Sequence, residues 1–331
     1  MSGRMWGRLG LRVGAVVAAG VAGVLLYATP AAAHGADAPV AVPYVVRVWS
    51  VSVPGVEVRA VEGGARLELV NRSGREVVVL GLQGEPFLRV SADGVDENRE
   101  SPTWFASRAL RGGAVGGDAA AAAEWHRVAG VPVVRWHDER ARELPVREWS
   151  VPLLVDGLEP GIVRGSVEAA TVPRTGWWWA GSVLGAVVVG LLWRWRAVLG
   201  VVAVVGGVTA AWWVVGSAAL AASPADGVVV QLLARVWALV VGGGVVAAGV
   251  LLLFKKVDLV LGIAGACLAV VIGMGDSGVF RYGTLAGPAW GRWAVAVAFA
   301  VGVGLTCAGG VRWYRAVGPS EGESAQGTRG S

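Results

Sequence analysis

Residues 177–311 are almost free of charge. Such a stretch does not fit a soluble domain, in which about one residue in four is charged. It divides into five apolar segments, 177–193, 197–221, 228–254, 257–274 and 289–311. Each is long enough for a helix to cross a bilayer, the first and fourth near the lower limit. A hydrocarbon core supplies no water to satisfy the backbone, so the segments must close their own hydrogen bonds as helices. Arg194, Arg196, Lys255, Lys256, Arg312 and Arg315 lie at one set of segment ends, Arg281 and Arg292 at the other. Basic residues stay in the cytoplasm, which puts the C-terminus inside and residues 34–175 outside the plasma membrane. Trp177, Trp178, Trp179, Trp290 and Trp293 then fall at the outer interface, where an indole buries its ring and keeps its N–H wet. Gly181, Gly185 and Gly242 to Gly244 suit close helix packing.

The N-terminus agrees with that direction. Arg4, Arg8 and Arg12 precede an apolar run, and "ATPAAAHGADAP" follows, with Ala31 and Ala33 meeting the small-residue rule for signal cleavage. Cleavage after residue 33 leaves His34 first; the alternative is an uncleaved anchor. The expected domains are a signal peptide 1–33, an extracytoplasmic domain 34–175, a five-helix transmembrane domain 176–315 and a disordered cytoplasmic tail 316–331.

Residues 39–171 show short period-two runs, "YVVRVWSVSV", "ARLELVNRS", "EVVVLGLQG", "PFLRVSADG", "VPVVRWHD", "WSVPLLVDG" and "GIVRGSVEA", separated by Gly, Pro, Asn or Asp. That pattern predicts seven or eight strands in a β-sandwich, immunoglobulin-like in the broad sense. Both cysteines, Cys267 and Cys307, lie in the apolar segments, so the exported domain has no disulfide and needs a hydrophobic core. "SADGVDENRESP" reads as a solvated loop turning at Asp93-Gly94; its acids do not match the calcium-loop spacing. The net charge of +5 is carried largely at membrane boundaries, so no nucleic-acid partner is expected. The expected partners are the lipid bilayer and another membrane or exported protein.

No G-x-S-x-G, P-loop, H-E-x-x-H or CxxC occurs, and nothing nominates a nucleophile, so the chain does not read as an enzyme. All three histidines, His34, His126 and His137, fall in the exported domain. A free amine and imidazole at His34, with another imidazole, would suit copper(II). If "EWHRVAGVPVVRWHD" is a hairpin turning near Gly130-Val131, His126 and His137 share a face, and Asp138 is a further ligand or a contact behind one. The opposite reading of His137 and Asp138 is a charged strand end. In the apolar segments, Gln231, Arg235 and Asp258 are the polar candidates. Gln231 and Arg235 share a helix face, and Arg235 is expected about 10 Å into the third segment.

"GEPFLRVSADGVDENRESP" followed by "RWHDER" resembles an uncharacterised actinobacterial family of exported, membrane-anchored proteins, marked by GEP-aromatic-LR, DGV-x-EN, SP and a WHD segment. The match covers residues 84–140 and the general plan of signal, β-domain and helices. It implies an immunoglobulin-like domain similar to that of periplasmic copper-binding proteins, and a copper link. The family segment carries more histidines; here Glu139 and Arg142 stand in their place, and only His137 is kept. The expected function is a membrane-anchored extracytoplasmic binding or interaction protein, with copper as one ligand and a purely partner-docking role as another. The alternative is a subunit of a transport system, with the β-domain as receptor or gate.

Overall fold

The computed structural model describes residues 40–108, 116–142, 147–222, 224, 229, 232–233, 235–255 and 257–317. The signal segment, His34, Gln231 and the tail beyond Val317 lie outside the described residues.

The N-terminal part is β-rich. Its strands are β1 (Ala41–Val42), β2 (Tyr44–Val51), β3 (Val56–Val61), β4 (Arg66–Asn71), β5 (Val77–Leu80), β6 (Pro86–Ser91), β7 (Gly94–Asn98), β8 (Trp125–Ala129), β9 (Val133–Trp136), β10 (Arg147–Val155) and β11 (Glu159–Ala169). Seven of them form an antiparallel sheet in the order β2-β11-β10-β5-β6-β7-β8, and β3-β4-β9 form a second. Both sheets feed one core. Leu67, Leu69 and Trp136 of the small sheet meet Val79, Leu88, Val151 and Val167 of the large one. Period-two alternation produces this, because every second side chain points inward and each fully buried Leu or Val contributes about 1.5–3 kcal/mol.

The three-residue loop between β10 and β11, Asp156 to Leu158, turns at Asp156 and Gly157, both in the left-handed region (φ 48° and 74°). "GVDEN" is a strand rather than a solvated loop: Asp96 is buried and held by Arg89 and Arg127 from the strands on either side. A short helix α1 (Pro102–Arg108) follows, with the Ser101 hydroxyl accepting from the Thr103 N–H and proline at the first helical position.

The C-terminal part is helical: α2 (Thr175–Leu191), α3 (Arg196–Ala221), α4 (Val236–Phe254), α5 (Asp258–Leu268) and α6 (Gly291–Val317). The five-span expectation is corrected to four. Helices spanning Thr175–Arg194, Arg196–Ala221, Val236–Phe254 and Gly291–Ala316 are long and apolar enough to cross a membrane. Asp258–Met274 is shorter, about 25 Å by helical rise, and its last six residues, Ala269–Met274, form a π-helix. The third segment is also interrupted, with Leu232 and Leu233 helical before Arg235. Arg235 has φ −113° and ψ 19°, which breaks the helix, so Arg235 stands at the start of α4 and not within it.

The bundle closes on glycine. A Cβ on Gly207 would lie 2.6 Å from the carbonyl oxygen of Gly242, and one on Gly249 would lie 2.7 Å from that of Gly200. α3 and α4 therefore pack backbone to backbone at two levels seven residues apart. Gly265 and Gly302 do the same between α5 and α6.

Candidate functional site at the junction of sheets and helices

The two parts are joined by more than the covalent link at Thr175. β1 pairs antiparallel with β12 (Thr284–Leu285), a strand in the loop before α6, with Ala41 opposite Leu285 and Val42 opposite Thr284. The Ala286 N–H extends the ladder to the Val40 carbonyl at 2.9 Å. Thr175 donates its hydroxyl to the Phe280 carbonyl at 2.7 Å. Glu62, Gly63 and Gly64 are all in the left-handed region (φ 55°, 71° and 99°), and this turn seats against Leu285 and Ala286. Three such residues in succession, one of them a glutamate, are costly unless the surroundings hold them.

Beside this turn lies a buried ionic ladder. Arg59, Glu68 and Arg135 are direct cross-strand partners on β3, β4 and β9. Glu68 is fully buried between two guanidinium groups, Arg59 Nε at 2.7 Å and Arg135 Nε at 2.8 Å. Arg135 also donates Nη2 to the carbonyl of Ala221, the last residue of α3, at 2.7 Å, and approaches Glu62 at 3.6 Å. The outer face of the small sheet is thus applied to the end of a helix. An arginine at a helix C-terminus satisfies an open carbonyl and complements the negative end of the dipole.

His137 belongs to the same place. Arg66 Nε donates to His137 Nε2 at 3.1 Å. Arginine is only a donor, so Nε2 accepts, and the Nδ1–H donates to the Ala65 carbonyl at 2.8 Å. Both ring nitrogens are engaged by protein. Asp138 is buried and accepts from Trp136 Nε1 (2.9 Å), Arg140 Nε (2.8 Å), Arg140 Nη2 (2.8 Å) and the Arg140 N–H (3.1 Å). It caps the single 3-10 turn Glu139–Ala141. Arg140 continues to the Leu80 and Gly81 carbonyls at the end of β5, linking the two sheets.

The expected hairpin joining His126 to His137 is absent. β8 pairs with β7 in the large sheet, and β9 pairs with β4 in the small one. His126 stands on the edge strand and contacts Glu124 at 2.7 Å. The segment between the strands, with Pro132 lacking an N–H, carries the chain from one sheet to the other. Among the described residues no group of three or more His, Cys, Asp or Glu is placed to hold a metal ion. The fourth candidate, His34, lies outside them.

Of the polar candidates in the apolar segments, Asp258 pairs with Arg312 and so fastens the start of α5 to the end of α6. Arg235 precedes α4, and Gln231 is outside the described residues. Two buried carboxylates, Glu68 and Asp276, were not picked from the sequence. Asp276 accepts the indole N–H of fully buried Trp213 at 2.6 Å and anchors the loop that bears β12. The signal for Glu68 was available: the charges of "VEVRAV", "RLELVN" and "VVRW" share the outward parity of three adjacent strands.

No family model, curated protein or solved structure matches this chain.

Proposed function

We propose that this chain is a membrane-anchored extracytoplasmic interaction protein, presenting an immunoglobulin-like sandwich at a fixed height and angle above the bilayer. The observation that carries this reading is the Arg135 contact to Ala221 beside the β1–β12 ladder. A tethered receptor needs only a linker. Here the sheet domain and the helices share a strand pair and a helix cap, which spend burial and hydrogen bonds on fixing their relative orientation.

The helices favour anchoring over solute passage. Ser182, Thr209, Ser217 and Thr306 each donate to the carbonyl four residues back, so their hydroxyl protons are satisfied within their own helices. The only described acids of the helical part are Asp258, paired with Arg312, and Asp276, bonded to Trp213. Copper is the less favoured ligand, because His137 and Asp138 are committed to the fold and only His34 and His126 remain.

The test has two arms. Leu158→Cys, at an 86 % exposed hairpin tip, reacts with a membrane-impermeant maleimide on intact cells, while a cysteine placed in the tail does not. A photo-crosslinker at Val128 on the β8 edge gives one adduct of defined mass with a membrane or exported protein. Labelling of the tail and not of position 158 overturns the orientation. Solute flux through proteoliposomes of the pure chain, with no adduct in cells, favours transport.

A further inference from the structure

The end of the bundle away from the sheets gathers cations that no acid among the described residues neutralises, apart from Arg312. α2 ends in a 3-10 turn, Leu192–Arg194, and α3 starts two residues later at Arg196. That short link carries Trp193, Arg194 and Arg196 together. The Arg315 guanidinium stacks over the Trp193 ring at 4.1 Å, and Arg194 lies over it at 5.1 Å. Arg312 donates to the Trp193 carbonyl at 3.0 Å. Arg196 reaches across to α4 and donates Nε to the Leu252 carbonyl, three residues before Lys255.

The charge balance at this end is one-sided. Asp258 is its only described acid, and Arg312 takes it. Arg194, Arg196, Lys255 and Arg315 have no carboxylate partner among the described residues. Arg196 Nη2 is buried with no hydrogen-bond partner among the described residues. A guanidinium N–H left in that state costs free energy that an external anion can offset. Around these cations stand exposed aromatic and apolar groups: Trp195, Phe254, Trp313 and Tyr314. Indoles and phenols beside basic groups at a helix end mark the depth of lipid headgroups.

We propose that the link Leu192–Arg196 and the end of α6 form a site for the phosphate of an acidic phospholipid, held by Arg194, Arg196 and Arg315. Trp193 fixes two of these guanidinium groups by stacking, so little side-chain freedom remains to be lost on binding. Guanidinium groups suit this ligand because they present paired donors to phosphate oxygens. The acyl chains would lie along the face of α2 that exposes Val183, Leu184, Val187 and Leu191. The site depends on the membrane reading above, and the experiment separates the two.

Full-length protein in neutral detergent is titrated with phosphatidylglycerol, phosphatidylcholine or inorganic phosphate, and bound species are counted by native mass spectrometry. One phosphatidylglycerol per chain is retained in preference to phosphatidylcholine, and inorganic phosphate does not displace it. Arg196→Gln and the exposed pair Arg194→Gln with Arg315→Gln each weaken retention about tenfold. Arg281→Gln, at the opposite end, leaves it unchanged. Equal retention of the two lipids overturns the site, as does full displacement by inorganic phosphate or undiminished binding by the surface pair. Recovery of the chain from cells in soluble form without detergent overturns the membrane reading instead.

Discussion

Arg135 on β9 donates to the carbonyl of Ala221 at the end of α3 while its Nε holds the fully buried Glu68, so one side chain joins the sheet core to a helix terminus. Removing it strands a carboxylate and uncaps a helix at once. Breaking a buried pair from one side costs about 3–5 kcal/mol, and the remaining Arg59 places Arg135→Ala near the lower figure. The joint replacement Arg135→Met with Glu68→Leu, which removes the Glu68 charge together with its partner, is expected to be less destabilising than Arg135→Ala alone. Thermal unfolding of the full-length protein in detergent compares the two. A double variant weaker than the single one shows that the ladder is worth more than its desolvation cost.

His137 carries a different expectation. Its two nitrogens serve Arg66 and Ala65, so His137→Phe costs about 1–3 kcal/mol through the groups it leaves unpaired. Copper binding should not depend on it. Calorimetric titration of copper(II) into wild type and His137→Phe is expected to give the same isotherm, whether flat or saturable. Saturable binding that this variant abolishes would make His137 a ligand.

Alternation made the strands and their inward faces legible, and Trp136 is in the core. Alternation does not name a strand's partner, which is why β8 and β9, adjacent in sequence and each of the right parity, went to different sheets. Glu68 has outward parity and would be solvated in an isolated sandwich. It is buried because another part of the chain covers that face, a fact no local window contains. Apolar runs located the helices but not their ends: Arg235 breaks the third, and a π-helix closes the fourth. The left-handed Glu62 had no signal beyond the two glycines that follow it.

Glu85 gives a pH prediction. It is buried next to α1, where burial pushes its carboxyl up. Hydrogen bonds from the Thr103 and Ser101 hydroxyls and from backbone N–H groups outweigh burial, and hold it below the ordinary glutamate range. A folded value below the unfolded one, about 4.3, means that the ionised carboxylate stabilises the fold above that pH. This contribution is lost as the pH falls through the folded value. Glu85→Gln should therefore be less stable than wild type by about 1–3 kcal/mol at pH 7, and the gap should narrow below about pH 4. Chemical denaturation at a series of pH values, followed by tryptophan fluorescence, reads the difference. A gap that is constant with pH assigns the loss to shape rather than charge.

The glycines of α4 test the helix packing with substitutions one residue apart. Gly242 faces α3, where a Cβ would meet the Gly207 carbonyl at 3.2 Å and the Ala211 N–H at 3.4 Å. Gly243 and Gly244 have nothing within 4 Å of such a Cβ. Gly207 is tighter still, with the Gly242 carbonyl at 2.6 Å and Val246 at 2.7 Å. Alanine at Gly243 or Gly244 should stabilise the chain slightly, because glycine in a helix interior costs about 0.5–1 kcal/mol relative to alanine. Gly207→Val should force α3 and α4 apart, at a cost of about 1–3 kcal/mol or more from overpacking, since backbone cannot yield as a side-chain tip can. Thermal unfolding in detergent is expected to rank Gly243→Ala at or above wild type and Gly207→Val well below it. The reverse order would mean that α3 and α4 do not meet along Gly200, Gly207, Gly242 and Gly249.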